Sequence, residues 1–267
     1  MRLTLYIKRV LPTDSLFTYC KQITYTVRIN PVVALAAAPP PGHGSGVRIS
    51  GGEMGERARI QCFIDGFNLY HAVDNLKRPH LKWLNLRKLI EGFTDPALQE
   101  VQSIFYFSAF ATWRPDAHRR HQQYVEALKT VSVTPIMGRF KEKDVYCRSC
   151  KTPYKTHEEK ETDVNVALWL VNEAYKNNFD EAFIVSRDSD LTPAIRMVLT
   201  EFPHKKIKVI SPPNAGHSKE IGQLVGAKKL ASIKQIHLER SLFSATVTDP
   251  DSGLVVARRP PSYDPPT

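Results

Sequence analysis

The sequence predicts an α/β fold, a mostly parallel sheet with helices on both faces. Three observations carry that reading. Short apolar runs bounded by turn residues recur along the chain. Stretches with apolar residues three and four apart alternate with them. Two of the short runs are closely followed by carboxylates, at the strand exits where open α/β sheets bind their ligands.

In order, the candidate strands are 60–64, 103–108, 132–136, 182–186, 207–210 and 235–238, and the candidate helices are 84–92, 116–130, 163–177, 192–201 and 218–226. The first strand, IQCFI, is followed at once by Asp65, Gly66, Phe67 and Asn68: an acid, then a glycine that permits a turn. Between the second and third strands, TWRPDAHRRHQQYVEALK places Trp113, Arg114 and Arg120 close together, with Arg120 and Tyr124 on one helix face. Cations for phosphates and flat rings for bases are the combination that holds single-stranded nucleic acid. The plainer reading of that helix is a solvated charged side.

A second acid, Asp163, opens TDVNVALWLVNEAY, where the positive end of a helix dipole favours an anion. In that helix Val164, Ala167, Leu168, Val171, Ala174 and Tyr175 recur at helical spacing and mark one face as buried. The fourth strand, around FIV at 183–185, exits into a turn bearing Asp188 and Asp190; Thr192 and Pro193 then read as the cap and first residue of a helix. Each acid alone also reads as a turn residue or a helix cap. Like charges brought together need something positive between them, and a divalent metal is the usual answer.

The strings FIDGFNLYHA, EEKETDVNVALWL and FIVSRDSDLTPAI, in this order, resemble the NYN domain family. These are PIN-like, metal-dependent ribonucleases that include a LabA-like branch, and the resemblance runs from about Arg59 to about Leu238. It implies a PIN-like, Rossmann-like three-layer fold. It also implies that Asp65, Asp163, Asp188 and Asp190 are the catalytic, metal-holding acids, with Asn68 beside them orienting a water or a phosphate oxygen. Arg187 stands where the family often has glycine, so it either contacts a phosphate or is neutral variation. The implied cofactor is Mg2+ or Mn2+, hard cations that prefer oxygen ligands. No His or Cys adjoins these acids in sequence, which argues against zinc at this centre.

The net charge of +10 suits a polyanionic partner. The expected partner is RNA, single-stranded, gripped by Trp113, Arg114, Arg120, Arg139, Lys160 and Arg187. A homo-oligomer is compatible with the sequence. The glycines form neither a P-loop nor a dinucleotide fingerprint, and no apolar run reaches the roughly 20 residues that cross a bilayer. Four cysteines without a disulfide framework fit a reducing, cytoplasmic setting. Cys147 and Cys150 form a CxxC pair; a structural zinc would add His157 and one further ligand, whereas a reduced surface pair and a redox pair are the other readings.

The domain expectation has three parts. Residues 1–53 are a disordered or non-native extension and linker, with translation starting at Met54; residues 54–240 are the nuclease domain, with a CxxC insertion near 139–158; residues 241–267 are a disordered tail. The function expected is hydrolysis of RNA phosphodiester bonds at a carboxylate-held Mg/Mn site, without a covalent enzyme intermediate. The alternatives are a non-catalytic RNA-binding regulatory module of the same fold, and a small-substrate phosphatase using the same acids.

Overall fold

A computed structural model describes residues 56–147 and 149–266; the expectations for residues 1–53 and for Cys20 lie outside the described residues. Strand β1 (Ala58–Asp65) runs into helix α1 (Gly66–Asp74). A 3-10 turn (Pro79–Lys82) and α2 (Leu86–Glu91) lead to β2 (Gln99–Ser108), α3 (Pro115–Lys129) and β3 (Val133–Met137). A hairpin of β4 (Arg139–Tyr146) and β5 (Pro153–Lys160) precedes α4 (Thr162–Tyr175) and β6 (Glu181–Val185). Then come α5 (Thr192–Glu201), β7 (Lys206–Ser211), α6 (Lys219–Val225), β8 (Leu230–Ser232), α7 (Gln235–Glu239), β9 (Thr246–Thr248) and β10 (Val255–Arg258).

The central sheet has the order β3-β2-β1-β6-β7-β8, and every pairing in it is parallel. Its strands are apolar at successive positions because both faces are covered. In β1, Ile60, Cys62 and Ile64 face a layer built from α1, α2, α3 and the C-terminal segment, whereas Phe63 faces α4 and α5. The same two-residue alternation sends Ile104 and Tyr106 of β2 to the first layer and Phe105 and Phe107 to the second. This is the three-layer α/β arrangement expected. Strand order reverses at β1: β2 and β3 extend one way and β6, β7 and β8 the other, which opens a crevice at the carboxyl ends of β1 and β6.

Four local readings change. The run 235–238 is helical, not a strand: Leu238 is 0% exposed while Ile236 is 43% exposed, so residues two apart do not share a face. The sheet's sixth strand is instead β8. Helix α4 buries Thr162, Val166, Leu170, Glu173 and Ala174, whereas Val164, Leu168 and Tyr175 are 60%, 61% and 58% exposed. The helix carries two apolar stripes, and the sheet takes the other one. Thr192 does not cap α5; its Oγ1 is buried without a partner, and the preceding residue, Leu191, is the cap position.

The tail is ordered as far as residue 266, contrary to the expectation for 241–267. Strands β9 and β10 pair antiparallel, and Val247 and Ala257 enter the first core layer. The Trp83 indole N–H donates to the Ser244 carbonyl at 2.9 Å, and backbone bonds Asn85 N to Ser241 O (2.7 Å) and Phe243 N to Trp83 O (3.0 Å) stitch the segment down. The proline-rich composition is compatible with this because short edge strands and 3-10 turns need few ladder donors.

Candidate active site

Asp65 ends β1 and also caps α1, its Oδ1 accepting the Asn68 N–H at 2.9 Å. The turn is tight: a Cβ on Gly66 would stand 2.5 Å from the Phe107 carbonyl oxygen and 2.7 Å from the Tyr106 ring, so only glycine fits. On the adjacent strand exit, Asp188 accepts the Asp190 N–H at 2.9 Å and holds a 3-10 turn (Ser189–Leu191). Ser186 ties the two exits together. Its hydroxyl donates to Asp65 Oδ2 at 2.9 Å and accepts the Asp188 N–H at 3.0 Å.

The third acid arrives from the hairpin side. Glu161 adopts a left-handed backbone, φ 80°, and turns the chain from β5 into α4. Glu159 reaches forward to accept the Thr162 N–H at 3.0 Å, and also the Thr162 hydroxyl. Asp163, in the first turn of α4, then faces the same crevice as Asp65 and Asp188.

The crevice is a cleft of about 880 Å³ lined by Asp65, Asn68, Glu159, Asp163, Arg187 and Asp188 at its acidic part. Burial raises the Asp163 carboxyl to about 6, and the neighbouring Asp65, Asp188, Glu159 and Asp190 charges add to the effect. Burial also raises Asp65, partly offset by the Asn68 and Ser186 hydrogen bonds and reinforced by Asp188. Three of the four expected acids therefore share one space. Asp190 is exposed and does not line the cleft, though its charge is felt at Asp163.

The donor set is all oxygen, and neighbouring negative charge adds to the rise at Asp65 and Asp163, as like charges do where a cation belongs. That chemistry fits a hard divalent ion. Among the described residues no three His, Cys, Asp or Glu side chains already converge on one point at ligating distance. The acids therefore need local side-chain adjustment, or waters completing the shell, to hold one.

Of the residues expected to grip RNA, Trp113, Arg114, Arg120 and Arg187 line the cleft. Arg139 and Lys160 do not: Arg139 pairs with Glu161 at 2.7 Å and Lys160 with Glu158 at 2.9 Å on the exposed hairpin. Trp113 stacks on His157, with centroids 3.6 Å and planes 5° apart, and Phe140 meets Trp113 edge-on at 4.6 Å. This aromatic shelf fixes the hairpin as one wall of the cleft.

The stack also removes His157 from the expected zinc set. His157 pairs with Glu142 along the hairpin, whereas Cys147 and Cys150 sit in the turn beyond the Tyr146–Pro153 pair. The two cysteines are free thiols; hydrogen bonds from Thr152, and then from Cys147, pull the Cys150 thiol down to about 7. The residues that sequence reasoning missed are Ser186 and Glu159. Ser186 stands two positions before Asp188, and Glu159 lies three before Thr162 at the spacing of a helix-start bond.

The NYN domain family model matches residues 59–221. Among curated proteins, 6-hydroxy-3-succinoylpyridine 3-monooxygenase HspA from Pseudomonas putida (strain DSM 28022 / S16) is 28% identical over 178 residues, covering 54% of this chain and 56% of that protein. The match thus spans just over half of the relative's length. Among solved structures, a protein of unknown function from Vibrio parahaemolyticus RIMD 2210633 aligns at a TM-score of 0.46 and 17% identity, over 70% of this chain and 97% of that one.

Proposed function

This chain belongs to the NYN domain family, and from that premise we propose that it is a metal-dependent ribonuclease that hydrolyses RNA phosphodiester bonds. The observation that carries the reading is the meeting of Asp65, Asp163 and Asp188 in one cleft at the sheet's switch point, with Asp163 raised to about 6. Those three side chains would hold Mg2+ or Mn2+, with Asp190 reaching it through solvent. Such an ion supplies charge neutralisation at a phosphoryl oxygen and activation of water.

The chain's own residues supply the rest. Ser186 fixes the Asp65 carboxylate by its 2.9 Å bond, so that the acid faces the cleft in one orientation. Asn68, held against Asp65 at the first turn of α1, orients a phosphate oxygen or a water. Arg187 and Arg114 line the cleft, placed to meet the phosphates flanking the scissile bond. Trp113, 39% exposed on its His157 backing, offers a face for a base.

The test is direct. Labelled RNA, DNA and a generic phosphomonoester are incubated with the full chain and Mg2+, Mn2+ or chelator. RNA cleavage that needs metal and is lost in Asp188→Asn supports the reading. Tight RNA binding without cleavage indicates a regulatory module, and phosphate release from the monoester alone indicates a phosphatase.

A second reading rests on the Pseudomonas relative, whose name describes monooxygenation of a substituted pyridine. The tyrosine rings of Tyr70, Tyr106, Tyr124 and Tyr263 gather in the same cleft and suit a small aromatic molecule. That reading requires dioxygen uptake with a hydroxypyridine substrate and a reductant, and the absence of uptake rejects it.

A further inference from the structure

The cleft has a second part, which the acids do not occupy. Its walls come from the C-terminal half of α1, the 3-10 turn at Pro79–Lys82, α3, and the 3-10 turn at Pro261–Tyr263. The last of these lies beyond residues 59–221, the stretch that matches the family. The Lys82 ammonium stands 5.0 Å from the Tyr70 ring centroid and 5.5 Å from the Tyr263 ring centroid. Asp74 accepts from it at 2.6 Å, so the cation is held in place.

Arg120 reaches in from α3. Its Nε is buried and has no hydrogen-bond partner, the one such nitrogen among the buried side-chain atoms described. Its guanidinium lies by Tyr263, where it helps to hold the phenol's proton affinity down against burial. A buried guanidinium N–H without an acceptor carries an uncompensated desolvation cost. An anionic oxygen is the acceptor that removes it best. The floor is Tyr106, whose hydroxyl meets His121 Nε2 at 3.4 Å and whose ring abuts Gly66 next to Asp65. His121 is pushed down to about 4 by burial, so near pH 7 it is neutral and adds no charge.

We propose that Tyr70, Lys82, Arg120 and Tyr263 form a subsite for one nucleotide, with the base stacked on tyrosine and its phosphate held by Arg120. The inference rests on the ribonuclease reading for its biological role. It deepens that reading in one respect: a base can enter a cleft of this kind only when unpaired, so the substrate is single-stranded at this position. Flat rings and a guanidinium in one place fit a nucleotide better than either a bare sugar phosphate or a nucleoside. Tyr263 belongs to a turn that packs on Lys82, so the tail completes the subsite.

The experiment measures binding to the full chain by calorimetry in excess chelator, where no cleavage occurs. The probes are adenosine 5′-monophosphate, adenosine, ribose 5-phosphate and inorganic phosphate. The mononucleotide is expected to bind at least tenfold more tightly than each of the others. Arg120→Met is expected to weaken the mononucleotide about tenfold and adenosine little. Tyr263→Leu is expected to weaken both by about tenfold, the loss of one stacking ring, while Tyr263→Phe retains them. On single-stranded RNA with metal, Tyr263→Leu is expected to raise KM more than it lowers kcat.

Equal binding of the mononucleotide and inorganic phosphate overturns the subsite, as does unchanged affinity in both Arg120→Met and Tyr263→Leu. Tighter binding of adenosine or of ribose 5-phosphate than of the mononucleotide overturns it too. The two proposals fail separately. RNA cleavage without mononucleotide binding removes the subsite alone; mononucleotide binding without RNA cleavage removes the ribonuclease reading alone.

Discussion

The Ser186 hydroxyl donates to Asp65 Oδ2 at 2.9 Å across 121 residues of chain, and Ser186 Oγ in turn accepts the Asp188 N–H at 3.0 Å. One side chain thus sets the orientation of two acids on neighbouring strands. Ser186→Ala leaves the mostly buried Asp65 carboxylate short of a donor. Stability at pH 7 is expected to fall by about 1–3 kcal/mol, the usual cost of an orphaned buried acceptor. Denaturant midpoints measure the loss, and the cleavage pH profile is expected to shift upward as Asp65 holds its proton more firmly. An unchanged profile would show that the bond does not tune the acid.

Asp163→Asn is expected to stabilise the protein while abolishing cleavage. The sign follows from the raised carboxyl. A folded-state value near 6 above an unfolded value of 3.8 means that the native state binds the proton more tightly. The ionised carboxylate therefore costs nothing below pH 3.8, a growing amount as pH rises towards 6, and its full amount above 6. Asparagine removes that cost. Since the Asp163 side chain is only part-buried, the gain is discounted to about 1 kcal/mol at pH 7.5, and it vanishes near pH 3.5. Thermal melts of the two proteins across that range measure it.

Millimolar Mn2+ or Mg2+ is expected to raise the melting temperature. A ligand at a hundred times its dissociation constant adds about 2.7 kcal/mol when it binds only the folded state. The same additions to Asp188→Asn are expected to produce a much smaller shift. Equal shifts in both proteins would place any bound ion elsewhere.

Gly66→Ala is expected to lose about 2 kcal/mol or more and most activity, because its Cβ has no space between Phe107 and Tyr106. The displaced turn carries Asp65 with it. Near-wild-type melting would mean that β2 yields more readily than its packing indicates.

Trp113→Ala is expected to weaken single-stranded RNA binding by about 1–3 kcal/mol through the lost stacking face. It also removes the aromatic backing of His157, so protease cutting within the β4–β5 hairpin is expected to quicken. RNA titrations and timed digestion read the two effects separately.

The sheet and three of the acids were legible because they depend on local signals. IQCFI followed by Asp65, and FIV followed by Asp188, are strand exits that the pattern shows directly. Helix α4 shows the limit of that signal. Val164 and Leu168 have the spacing of a core face, yet Val166 and Leu170 have it equally, and only the sheet's position decides between the stripes. The run 235–238 has four residues, too few to tell a period of two from one of 3.6. The tail looked disordered because its prolines and acids mask two small buried residues, Val247 and Ala257. Ser186 and Glu159 act through single hydrogen bonds, which leave no periodic trace.

Asp65 and Asp188 are neighbours because β1 pairs with β6, the strand on the edge of β1 opposite β2. During synthesis the first of these strands leaves the ribosome more than a hundred residues ahead of the second. Until then, β1 can pair with β2 while its other edge waits. A growing polypeptide, or a fragment cut off before β6, therefore lacks the Asp65–Asp188 pair on which the proposed chemistry depends. The acidic part of the cleft exists only once the chain has been made past Asp188.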